Sequence, residues 1–98
     1  MTPTLPTQEQ VDEVVRELAP DVVRVKLDHE ENWFGDPVTR VYVILSDDAV
    51  RPERMGDVLR TVSDTLWDRL HLYEPGIHPH LRFRSQSEQE QLREARWE

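Results

Sequence analysis

Apolar positions change their spacing several times along the chain, and each change marks a new element. Between residues 8 and 18, Val11, Val14, Val15 and Leu18 recur at i, i+3, i+4 and i+7, which places them on one face of a helix. Thr7 and Gln10 have the spacing of a capping box just ahead of this run, and Pro20 stands just beyond it, so a first helix is predicted over about 8–18. From Val22 the period falls to two: Val23, Val25 and Leu27 alternate with Arg24, Lys26 and Asp28, as in a strand with one face in the core. After the turn ENWFGDP, Val41, Val43 and Leu45 repeat the alternation with Arg40, Tyr42 and Ile44 opposite, so the two segments form a hairpin. Pro52 suits a first helical position, and Met55, Val58, Leu59, Val62 and Leu66 form the stripe of a second helix ending near Leu70. In IHPHLRFR, Leu81 and Phe83 point to the core while His78, His80, Arg82 and Arg84 point outward, with Pro79 near the start of this third strand. Ser85 and Glu88 again have capping-box spacing and open a short last helix that carries Leu92, Ala95 and Trp97.

The order helix, strand, strand, helix, strand, helix predicts a two-layer α+β domain, with the first two helices on the apolar face of a three-stranded antiparallel sheet. A right-handed crossover through the second helix would set strand 3 beside strand 1, in spatial order 2-1-3. Residues 1–7, rich in Pro and Thr, are expected to be a flexible lead-in, and 8–98 a single domain. The outer sheet face stays open unless the last helix or a partner covers it.

Composition narrows the classes. A chain of 98 residues with 37% hydrophobic and 33% charged residues suits one small soluble domain. No apolar run approaches the roughly 18 residues of a membrane span, and the start MTPTLPTQEQ lacks the basic and apolar segments of a secretory signal, so no membrane partner and a cytoplasmic address are expected. Without cysteine there are no disulfides, thiolates or Cys-based zinc sites. The formal charge of −8 argues against generic binding to nucleic acid, which rests on neutralising phosphates. Every basic residue except Lys26 is Arg, whose planar donors suit carboxylate or phosphate.

Three groups of residues invite chemistry. Glu30, Glu31, Asp36, Asp47 and Asp48 surround the apolar run from Val38 to Leu45, and the stretch invites comparison with magnesium-dependent nucleotidyltransferases. Those enzymes pair a Gly-Ser turn with carboxylates alternating along a strand. Here Gly35 is followed by Asp36, and Asp47 adjoins Asp48, so adjacent side chains point to opposite faces and do not converge on a metal. Turn chemistry by Gly35, Asp36 and Pro37, with an acidic exit from strand 2 capping the next helix, accounts for the same residues. His78 and His80, two apart, have the spacing of two imidazole ligands, but a third ligand would have to come from His29 or Glu30, and Arg82 and Arg84 oppose a cation. The chain has no nucleophile elbow and no phosphate-binding Gly loop, so no catalytic residue, metal ligand or cofactor is assigned.

The third group is the outer sheet face. Alternation gathers Arg24, Lys26, Arg40, Tyr42, His80, Arg82 and Arg84 on one side of an otherwise acidic protein. Such a face suits an acidic protein surface or RNA, with Tyr42 as an anchor or stacking ring. Trp33 and Phe34 at the hairpin tip add an aromatic pair that either folds back or meets a partner.

The segments WFGDPVTRVYVILSDDA and FRSQSEQEQLREARW resemble a group of small bacterial α+β proteins of toxin–antitoxin-like two-gene modules. These share a strand, a Gly-Asp-Pro turn, a second strand and a closing Ser-Glu-Gln helix. The resemblance spans about 23–97, and its motifs are structural. It implies a non-enzymatic interaction module, the acidic antitoxin-like partner of a co-encoded toxin or nuclease-like protein. The element order is also similar to KH-type RNA-binding domains, although their Gly-x-x-Gly loop is missing because Gly56 stands alone. That similarity implies, as the alternative, an RNA-associated domain using the basic sheet face. A metal-dependent nucleotidyltransferase-like enzyme is the third reading, and a homo-oligomer is compatible with each.

Overall fold

A computed structural model describes residues 5–98, so most of the expected lead-in, residues 1–4, lies outside the described residues. The elements are α1 (Gln8–Leu18), β1 (Val22–Glu31), β2 (Pro37–Leu45), α2 (Pro52–Arg69), β3 (Pro79–Ser85), α3 (Gln86–Leu92) and a 3-10 turn (Ala95–Trp97). Both capping boxes form. Thr7 Oγ1 accepts from the Gln10 amide at 3.2 Å while Gln10 Oε1 accepts from the Thr7 amide at 2.9 Å. At α3, Ser85 Oγ accepts from the Glu88 amide at 3.1 Å and Glu88 Oε1 accepts from the Ser85 amide at 3.4 Å. The last helix is shorter than expected: Arg93 takes a left-handed backbone (φ 50°, ψ 37°), and Trp97 is delivered by the 3-10 turn that follows.

The sheet corrects the expected topology. Its order is β1-β2-β3, with β1 and β2 antiparallel but β2 and β3 parallel, where an antiparallel 2-1-3 sheet was expected. Two causes account for it. The 18-residue α2 is about 27 Å long and returns the chain from the end of β2 to the level of its start, so β3 runs in the same direction as β2. β2 is also apolar on both faces, with Val41 to Leu45 at most 5% exposed, and a strand of that kind belongs in the middle of a sheet.

The helix-facing side holds the main core. Val11 and Val14 of α1 and Val58, Val62 and Leu66 of α2 pack over Val25, Val41, Val43 and Leu45, and Leu70, Leu72 and Ile77 close one end. β1 enters with a register shift between Val22 and Arg24. Val22 is therefore buried at 2% and Val23 exposed at 42%, which corrects the expected inward Val23. On the opposite side a second cluster of Tyr42, Ile44 and Trp97 forms, so the end of the chain covers the middle of the outer face. Among the described residues, no helix is long and apolar enough to cross a membrane.

Candidate functional site

The β1–β2 turn is held by its own hydrogen bonds. Asn32 Oδ1 accepts from the Phe34 and Asp36 amides, each at 2.9 Å, while the Asn32 amide donates to the Asp36 carbonyl at 2.8 Å and the Gly35 amide to the Asn32 carbonyl at 3.0 Å. Gly35 has φ 81°, a backbone that a side chain would strain. This frame leaves Trp33 94% and Phe34 83% exposed. Glu31 and Asp36, both exposed, flank the two rings along the chain.

On the outer sheet face the register sets Arg24 opposite Ile44, Lys26 opposite Tyr42 and Asp28 opposite Arg40. It also sets Arg40, Tyr42 and Ile44 beside His80, Arg82 and Arg84. The seven residues expected there do share one face, but they do not form one basic surface. Tyr42 is 1% exposed and meets Trp97 edge-on at 4.9 Å between ring centroids, so its ring contacts Trp97 and offers no surface to a partner. Arg84 lies 4.2 Å over the Trp97 ring and donates to Gln89 at 2.9 Å and Glu94 at 3.1 Å. Arg40 is paired with Glu30 at 2.7 Å. Among the described residues, Lys26 reaches only the Ala95 carbonyl, at 3.5 Å. Arg24, His80 and Arg82 are exposed. Trp97, which covers this face, was not among the expected site residues, and its one signal in the sequence is a large aromatic within a charged segment.

Comparison of the chain with protein families, with curated proteins and with solved structures finds no significant match.

The adjacent carboxylates Asp47 and Asp48 serve two different helices. Asp47 accepts from the Ser87 amide at 3.0 Å and from its hydroxyl, which fixes the start of α3 and holds the Asp47 carboxyl below its usual range. Asp48 is bonded by Arg51 and Arg54, and these contacts lower its pKa in the same way. The acidic exit from β2 thus caps α3 rather than the next helix, α2, whose N-cap Arg51 makes no side-chain cap bond. Arg54 also takes both oxygens of Asp21, at 3.1 and 2.9 Å, and this grip raises its pKa. The hollow between α1 and α2, lined by Leu18, Asp21, Arg54 and Thr61, holds that guanidinium already engaged.

The histidines are also dispersed. His29 Nδ1 lies 3.2 Å from Thr39 Oγ1, and their shared register puts both on the helix-facing side, opposite to the face of His80. His78 precedes β3 with φ 49°. Among the described residues, no group of three or more His, Asp or Glu side chains is placed to hold a metal ion.

Proposed function

We propose that the protein is a non-enzymatic interaction module whose hairpin tip inserts Trp33 and Phe34 into an apolar pocket on a basic partner protein. The carrying observation is the exposure of two adjacent aromatic rings on a turn already fixed by four hydrogen bonds. A tip that is ordered before binding loses little conformational entropy on binding, and Trp is favoured among residues that dominate interface energy. The acidic flank adds attraction to a positively charged surface and speeds encounter with it. An antitoxin-like role beside a co-encoded basic toxin or nuclease-like protein, in the cytoplasm, fits this chemistry. The RNA reading has less to draw on, since Tyr42 is buried and Arg40 and Arg84 are engaged within the chain.

The test is co-expression with the product of the adjacent gene, followed by calorimetric titration. Trp33→Ser with Phe34→Ser is expected to weaken binding by roughly a hundredfold or more, as for two anchoring aromatics. Stability should change by no more than about 1 kcal/mol, as for surface residues. Unchanged affinity in the folded double variant would overturn the proposal, and so would a stability loss near the ~3–5 kcal/mol of a buried aromatic truncation. A salt-sensitive complex with single-stranded RNA, abolished by Arg82→Glu, would move the assignment to the sheet face.

A further inference from the structure

The outer edge of β1 carries a charge pattern that fits itself. β1 is paired with β2 on one side and, among the described residues, with no strand on the other. At ten residues it is a long edge, and its backbone groups are a template for another strand. A groove borders it, lined by Gln8, Asp12 and Val15 of α1, residues 23–27 of β1, and Glu98. Along the regular part of the strand, Arg24 and Lys26 lead and Asp28 and Glu30 follow, all four on the outer face by their register with β2. Arg24, Lys26 and Asp28 form no ion pair among the described residues.

We propose that the protein dimerises by antiparallel pairing of β1 with β1 of a second copy, in the register that sets Leu27 opposite Leu27. That register places Lys26 opposite Asp28 and Arg24 opposite Glu30, and the two-fold axis repeats each pair. Every charged position on the face from Arg24 to Glu30 then meets its opposite. Neighbouring registers do not offer this. A shift of two residues one way sets Lys26 against Lys26, and the other way Asp28 against Asp28, whereas a shift of one would put side chains on the wrong face. On the helix-facing side, Leu27, partly buried in the monomer, meets its equivalent, and Val25 meets His29. Glu30 would lie between its own Arg40, at 2.7 Å, and Arg24 of the second copy. The product is one six-stranded sheet of order β3-β2-β1-β1-β2-β3, with both hairpin tips at opposite ends. This surface is separate from the tip, so each proposal can fail alone.

The measurement is sedimentation equilibrium of the full chain across a wide concentration range, with circular dichroism as the control for folding. The wild-type mass is expected to rise from 11.6 kDa toward twice that value. Lys26→Glu turns two symmetry-related attractions into repulsions and is expected to weaken the dimer by roughly tenfold or more, as is Asp28→Lys. Combining Lys26→Glu with Asp28→Lys exchanges the charges and should restore association, a result that depends on this register. A chain monomeric at every concentration overturns the proposal. So does a dimer indifferent to Lys26→Glu, or one that the double exchange fails to rescue while the fold is intact.

Discussion

The hydroxyl of Tyr42 is buried without a hydrogen-bond partner among the described residues, and it sits under Trp97 on the outer side of the sheet. Leaving such a group unbonded costs roughly 1–3 kcal/mol. Tyr42→Phe keeps the ring and its edge contact while removing the polar atom. The variant is expected to be as stable as the wild type or up to about 2 kcal/mol more so, measured by the urea midpoint. A clear loss of stability would mean that the hydroxyl finds a bond in solution. At this scale the sequence placed Tyr42 on the correct face and misjudged its exposure. Alternation tells which side a residue is on, and it carries no information about a segment dozens of residues away that returns to cover it.

Asp47 ties the exit of β2 to the first turn of α3, and this tie gives the element a dependence on pH. Its carboxyl has a folded pKa below the usual carboxylate value of about 3.9, because Ser87 bonds the charged form. A depressed pKa stabilises the fold above the unfolded value, and that stabilisation is lost as pH falls through the folded one. Asp47→Asn should therefore be less stable than the wild type at neutral pH, with the two thermal midpoints converging below about pH 3. A gap of equal size at both pH values would remove the carboxylate from this role. Helices were the most legible elements, since each carries its own signals: two capping boxes, Pro52 at a first turn, and stripes of Val and Leu. The strand order was not legible from the same signals. A local pattern states that β2 has two apolar faces, yet Tyr42 and Ile44 were assigned to an open surface, which hid the mark of a central strand. Val22 and Val23 are chemically alike, so nothing in the pattern located the register shift between Val22 and Arg24.

For the whole molecule, the proposed roles draw on two separate features, an exposed aromatic tip on a chain of charge −8 and the unpaired edge of β1 among the described residues. The turn was legible because Gly35, Asp36 and Pro37 announce it, whereas the pattern left open whether Trp33 and Phe34 fold back or stay exposed. The charge order along β1 was visible too, but its meaning required knowing that β1 lies at an edge. The parallel pairing of β2 with β3 has a kinetic consequence. The β1–β2 hairpin needs only a short loop to close, whereas β3 cannot dock until α2 and both its connections have been gathered, a larger entropic cost met before any contact is gained. β3, with α3 and Trp97 behind it, is thus expected to be the last part to fold and the first to detach. Native-state hydrogen exchange should find the β3 amides opening at lower free energy than those shared by β1 and β2. Equal protection in both ladders would show that the sheet forms and opens as a single unit.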